Sequence, residues 1–109
     1  MSLEVYAAYL TTEKRMTDNT KQAYLRDLRH FSNFAEARGI DDPAEASSTD
    51  ILAYLMELKT GGRSKSTVNR KLASLRTYYQ YLIKMREIFE NPTESIKSPK
   101  VEKKEIQYL

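Results

Sequence analysis

The segment "SKSTVNRKLASLRTYYQYL", residues 64–82, carries side chains whose types and spacing are suited to binding a nucleic acid. A helix turns about 100° per residue, so this segment would have one apolar and one polar face. The apolar face comprises Val68, Leu72, Leu75, Tyr79 and Leu82. The polar face comprises Ser66, Arg70, Ala73, Ser74 and Thr77, flanked by Thr67 and Lys71. Because arginine can donate two parallel hydrogen bonds to a guanine edge or a phosphate, this face predicts contact with DNA.

A second segment repeats this arrangement. Opposite the apolar residues Tyr24, Leu28 and Phe31 lie Gln22, Arg26, Arg29 and Asn33, at spacings of four, three and four. Glutamine and asparagine side chains pair with adenine, and arginine pairs with guanine or phosphate. His30 lies nearby, and we expect it at the surface or facing a phosphate. A metal site is not expected, because the chain has no second His and no Cys.

The charges are unevenly distributed along the chain. The formal net charge is +3, yet residues 58–86 contain eight Lys and Arg and no Asp or Glu. Acidic residues collect elsewhere, as in "DDPAEASSTD". Such segregation predicts a positive surface, as nucleic-acid-binding proteins have. A basic helix face would also suit exposure to solvent or contact with an acidic protein partner.

The three tyrosines near the end of this segment have a separate interpretation. We assign Tyr78, Tyr79 and Tyr81 to the core and its edge rather than to base stacking.

The composition limits the class of protein. A chain of 109 residues suits one domain with a modest core, and 40% hydrophobic residues is ordinary for a globular protein. No run approaches the roughly 20 apolar residues of a membrane span, and the N-terminus lacks the features of a signal peptide. The absence of Cys excludes disulfides. These features favour a cytoplasmic protein without a membrane partner.

Periodicity and capping residues predict four helices. The first covers residues 3–14; the second begins at a cap of Thr17 or Asp18 and ends at Arg38, before Gly39. The third is capped by Ser48 or Thr49, and the fourth runs from Ser64 to about Met85. The expected core residues of the second and third helices are Tyr24, Leu28, Phe31, Phe34, Ala35, Ile51, Leu52, Tyr54, Leu55 and Leu58. The fold class is therefore predicted to be all-α, a four-helix bundle with short connections.

Ordered motifs along the chain resemble the N-terminal core-binding domain of tyrosine recombinases, the family of phage-type integrases and Xer-type recombinases. The first motif comprises Thr20, Tyr24, Leu28 and Phe31, and the second comprises Thr67, Arg70, Leu72 and Arg76. Asn91-Pro92 and Pro99-Lys100 complete the set. The resemblance implies a SAM-like four-helix bundle over residues 1–98. Residues 99–109 would begin a linker to a C-terminal catalytic domain that this sequence does not include.

The resemblance also implies partners and site residues. The expected partners are double-stranded DNA and other recombinase subunits in a synaptic complex, with the first helix contacting the neighbouring subunit. We expect the isolated chain to be monomeric. The matching DNA-binding positions are Gln22, Ala23, Arg26 and Arg29 on the second helix, and Ser66, Thr67, Arg70, Lys71 and Ser74 on the fourth. Most of them also belong to the polar faces found from spacing.

No catalytic residue of the family is expected in this chain. The family's nucleophilic Tyr and its His-x-x-Arg motif belong to the catalytic domain, and Asn33 follows three residues after His30. Tyr108 lies in the predicted linker and is not assigned as the nucleophile. We therefore expect no strand cleavage by this chain, and no metal or cofactor. The alternatives are a helical protein-interaction module with a basic face and a stand-alone DNA-binding regulator.

Overall fold

The structure, a computed structural model, describes residues 3–97 as four α-helices joined by short connections. The helices are α1 (Leu3–Thr12), α2 (Asp18–Ala37), α3 (Ser48–Thr60) and α4 (Lys65–Lys84), and a 3₁₀ helix, Pro43–Glu45, precedes α3. Residues 3–97 contain no strand, so the predicted all-α class is confirmed. None of the helices described is long and apolar enough to cross a membrane. The predicted boundary at residue 98, the linker and Tyr108 lie outside the described residues.

The helix starts follow from side chains that accept hydrogen bonds from otherwise unpaired backbone amides. Thr17 caps α2 and Ser64 caps α4, as predicted. The predicted cap of α3 is wrong by one residue. Ser47 caps that helix in a reciprocal capping box, because Ser47 Oγ accepts from Asp50 N at 3.3 Å and Asp50 Oδ2 accepts from Ser47 N at 2.9 Å.

The core forms where α4 packs against the other three helices, most extensively against α2. All five residues predicted for the apolar face of α4 are buried. Tyr78 and Tyr81 are buried as well, with ring centroids 5.2 and 5.1 Å from that of Tyr6, which confirms that this cluster belongs to the core. One expectation is wrong, because Leu52 is 49% exposed; Tyr24 is partly buried and packs against the core, to which Leu25 also belongs. Which side of a helix its neighbours cover depends on how the helices pack, and periodicity does not specify that packing.

The segment after α4 folds back over the bundle. Arg76 Nη2 donates to the carbonyl oxygen of Ile96 at 2.5 Å, and Ser48 Oγ donates to the carbonyl oxygen of Pro92 at 2.8 Å. Thr93 and Ile96 are buried. This segment covers the side of the bundle on which α3 and α4 meet, and leaves the outer surface of α2 uncovered.

Candidate nucleic-acid interface

A buried carboxylate joins α2 to α4 beneath their outer surfaces. Asp27 of α2 is 1% exposed, and both of its oxygens accept two hydrogen bonds. Asp27 Oδ2 accepts from Arg70 Nε at 3.0 Å and from Ser74 Oγ at 2.8 Å. Asp27 Oδ1 accepts from Arg70 Nη2 at 2.7 Å and from Lys71 Nζ at 3.0 Å. Three of the residues predicted to bind DNA therefore converge on one side chain.

The expected outward position of Ser74 and Lys71 is wrong. These side chains are 1% and 3% exposed, because α2 covers the part of α4 from which they project. A cation and a hydroxyl group are stable there because Asp27 accepts hydrogen bonds from both. A DNA-binding role for either residue remains a prediction, and the geometry allows them to act only through their neighbours.

Asp27 itself was missed in the sequence, although two signals pointed to it. It lies three residues after Tyr24 and immediately before Leu28, so it belongs to the inward stripe of α2. An acid in that stripe needs a buried cation, and the acid-free α4 offers Arg70 and Lys71 as neighbours in sequence. Together, these signals predict an ion pair between the helices.

The Asp27 carboxylate stays ionised because its partners outweigh its burial. Burial alone would raise the pKa of Asp27, but hydrogen bonds from Arg70, Lys71 and Ser74 hold that pKa below its usual value. One negative charge is thus shared by two cations, so the cluster keeps an excess positive charge. Lys71 is enclosed, whereas 46% of the Arg70 side chain is exposed, so this excess is presented to solvent by Arg70.

His30 extends the cluster toward the surface of α2. Its Nδ1 lies 3.1 Å from Lys71 Nζ. An ammonium group can only donate, so Nδ1 must accept and the proton of the neutral ring must be on Nε2. Desolvation and then the positive charge of Lys71 keep the pKa of His30 below its ordinary value. His30 is exposed, so the ring offers an N–H donor near the surface.

The remaining predicted site residues fall into an exposed and a partly covered group. The exposed residues are Gln22, Arg26 and Arg29 on α2, and Ser66 on α4. Ala23 and Thr67 are half-buried. Thr67 is also engaged at the start of α4, where its Oγ1 lies 3.1 Å from Ser64 Oγ and accepts a hydrogen bond from it. Arg70 is the exposed residue of α4 that is bound to α2, through Asp27.

A shallow concavity lies beside this junction, between α2, α3 and the start of α4. Its lining includes His30, Asn33, Arg63 and Lys71. Arg63 precedes the cap of α4 and is exposed; its position in the turn gave no helical pattern by which to select it. In residues 3–97, no group of three or more His, Cys, Asp or Glu is placed to hold a metal ion. The chemistry available at this surface is hydrogen-bond donation by cations, amides and one imidazole.

Comparison with known proteins gives a consistent result. Residues 3–86 match the family described as phage integrase, N-terminal SAM-like domain. The chain is 40% identical over 101 residues to the tyrosine recombinase XerC of Herpetosiphon aurantiacus, covering 93% of this chain and 33% of that protein. It is 38% identical over 100 residues to a putative tyrosine recombinase of Caldanaerobacter subterraneus, covering 92% of this chain and 34% of the relative.

The match also extends to a protein named XerD. The tyrosine recombinase XerD of Listeria monocytogenes is 32% identical over 99 residues, covering 90% of this chain and 33% of that protein. The chain thus spans about a third of the length of these curated relatives. No solved structure gave a significant match. The resemblance stated from the motifs is confirmed: the chain belongs to the family of N-terminal SAM-like domains of phage integrases and Xer-type tyrosine recombinases.

Proposed function

We propose that this chain is a core-binding domain that grips duplex DNA with the exposed surfaces of α2 and α4. One observation supports this most directly: Arg70 of α4 is bound to Asp27 of α2 through two hydrogen bonds at 3.0 and 2.7 Å. This contact makes the outer residues of the two helices parts of one surface. Arg26 is next to Asp27 in sequence and its charge acts on His30, and we infer from this that Arg26 contributes to the same surface as Arg70.

The charge of this surface suits a polyanion. Arg26, Arg29, Arg63 and Arg70 are exposed cations, whereas the carboxylate of Asp27 is buried and paired with two cations. Arginine side chains on a duplex displace condensed counterions, which gives affinity that falls as salt rises. Gln22 and Ser66 supply uncharged polar groups suited to base edges or phosphates.

The start of α4 supports phosphate binding in the same place. Ser64 Oγ accepts a hydrogen bond from Thr67 N at 3.1 Å, and the first turn of α4 has no acidic residue. Helix N-termini favour anions because backbone N–H groups point outward there and carry the positive end of the helix dipole. Ser66 lies in that turn and Arg70 lies one turn later, and both are exposed, so a duplex laid along α4 would place its phosphates near the helix start.

The activity of a longer protein follows as part of this proposal. The relatives are named tyrosine recombinases and are about three times as long as this chain. We assign the cutting and rejoining of strands to the remainder of such a protein, and DNA grip to this domain. Contacts between neighbouring subunits are assigned to α1, where Val5 is 51% exposed.

Selection from a random duplex library, followed by fluorescence anisotropy at several salt concentrations, tests the proposal. Arg26→Ala should weaken binding to all sequences and reduce the steepness of the salt dependence by about one phosphate contact. Lys84→Ala is the matched control, because Lys84 is a cation on α4 that pairs with Glu13 at 3.2 Å, away from the proposed surface. Binding that is independent of salt, or equally reduced in both variants, would overturn the assignment.

A further inference from the structure

We propose that Asp27 is a positioning residue for DNA recognition, which orients two exposed donors: the outer edge of Arg70 directly, and the Nε2–H of His30 through Lys71. The inference rests on the DNA binding proposed above and adds to it how that surface reads its target. It concerns the arrangement of donors in the free protein, so part of it is measurable without DNA.

The contact with Asp27 leaves one complete edge of Arg70 available. The carboxylate occupies Nε and one N–H of Nη2. A guanidinium has five N–H groups in a fixed planar fork, so three remain, and two of them lie in parallel on the Nη1–Nη2 edge. That edge can donate two hydrogen bonds to guanine O6 and N7 or to a phosphate. With 46% of the side chain exposed, the anchored guanidinium is accessible to a ligand.

Lys71 gives His30 an equally defined orientation. The ammonium group donates to Asp27 Oδ1 at 3.0 Å and lies 3.1 Å from His30 Nδ1. Asp27 holds the ammonium group, and the ammonium group in turn requires Nδ1 to accept. The proton on Nε2 is therefore on the side of the ring opposite Lys71, and His30 lines a concavity with Asn33 and Arg63. A phosphate oxygen or a base acceptor is the chemical group that this donor would bind.

The groups around His30 support the neutral, donor form of the ring. Asp27 and Arg26 face it from α2, Lys71 from α4, Arg63 from the turn before α4, and Glu57 and Tyr54 from α3 across the concavity. Three of these residues are cations, and the carboxylate of Asp27 is already bound to Lys71. Protonation of His30 would require Lys71 to lose its acceptor, so the donor form is maintained at neutral pH.

The tautomer of His30 is measurable because the chain has a single histidine. In ¹⁵N NMR spectra of the free chain at pH 7.5, we expect the chemical shifts of a single tautomer, in which Nε2 is protonated and Nδ1 is not. Lys71→Met removes the donor to Nδ1 and should give mixed tautomers and a higher pKa for His30. A mixture of tautomers in the unsubstituted chain, or an unchanged spectrum in Lys71→Met, would overturn the proposal that Lys71 orients His30.

Sequence discrimination tests the role of Asp27 in recognition. Asp27→Asn combined with Lys71→Met removes both buried charges together and retains the exposed cation Arg70. We expect roughly tenfold to hundredfold loss of preference at one base position, with the salt dependence unchanged, because the number of exposed cations is the same. Retained preference in this folded double variant would overturn the positioning role.

Arg70→Lys keeps the test decisive if the double variant does not fold. Lysine keeps the charge but lacks the planar guanidinium that can bind Asp27 and a base together. The preference for one base should therefore fall, while the salt dependence of the affinity should not change. Full preference in Arg70→Lys would contradict the proposal. If the unsubstituted chain binds no DNA, the proposed function fails, whereas the NMR spectrum still reports whether Lys71 orients His30.

Discussion

Arg70 of α4 and Asp27 of α2 meet in a two-point contact, with N–O distances of 3.0 and 2.7 Å, at the junction of the two helices. The carboxylate is 1% exposed and nearly half of the arginine side chain is exposed. The contact therefore belongs both to the core and to the surface. Substitutions there should affect stability and DNA recognition in separable ways.

Removal of Asp27 should destabilise the fold strongly. Asp27→Ala leaves the 3%-exposed Lys71 without its counterion and leaves Ser74 with only the carbonyl oxygen of Arg70 as an acceptor. Breaking one partner of a buried pair costs about 3–5 kcal/mol, so the free energy of unfolding in urea should fall by about that much. Glu13→Ala is the control, because the exposed Glu13–Lys84 pair should contribute less than about 1 kcal/mol. Similar losses in both variants would contradict the buried network.

Lowering the pH should reduce the free energy of unfolding, because Asp27 becomes protonated. Its pKa in the folded chain lies below the ordinary value of an aspartate side chain, so the folded state holds the ionised form more strongly than the unfolded state does. The resulting stabilisation is complete above the unfolded pKa and is lost as the pH falls through the folded pKa. Urea unfolding between pH 6 and pH 2 should show this decline, and Asp27→Asn should show a shallower one. A parallel decline in both proteins would exclude Asp27 as its source.

Arg70 should contribute more to recognition than to stability. In Arg70→Ala, Lys71 still neutralises Asp27, so we expect the free energy of unfolding to fall by only about 1–2 kcal/mol. Loss of a bidentate base contact should reduce discrimination at one position by about 1–3 kcal/mol. Competition anisotropy with single-base variants of a selected duplex measures this, and Arg26→Ala is the comparison expected to weaken all sequences alike. An unaltered preference would argue against a base contact by Arg70.

Two buried tyrosines should respond oppositely to loss of the hydroxyl. Tyr79 donates from its hydroxyl to the carbonyl oxygen of Pro43 at 2.6 Å, so Tyr79→Phe should cost about 1–3 kcal/mol by leaving that acceptor unpaired. The hydroxyl of Tyr6 is buried without a hydrogen-bond partner among residues 3–97. Tyr6→Phe should therefore be neutral or stabilise the chain by about 1 kcal/mol. Thermal and urea unfolding of the two variants check the pair, and a large loss in Tyr6→Phe would reveal an unrecognised partner.

The helical content and most of the core were predictable from the sequence. Thr17, Ser64 and Gly39 mark helix ends through local hydrogen bonding and backbone conformation, which depend on a few neighbouring residues. The apolar spacing of α4 predicts its buried face for the same reason, since a helical period is a property of one segment. The family was also recognisable, because its motifs are ordered along the chain.

The arrangement of the candidate interface was decided by the tertiary structure. The spacing of α4 places Ser74 and Arg70 on one polar face, but only the packing of α2 determines that Ser74 is buried and that nearly half of Arg70 is exposed. Burial depends on the crossing of two helices about 45 residues apart in sequence, and helical period carries no record of that crossing. The sequence by itself thus determined which helices form and which donors they carry. Packing around Asp27 decided which donors reach the surface, because a buried carboxylate is stable only when neighbouring donors form hydrogen bonds to it inside the core.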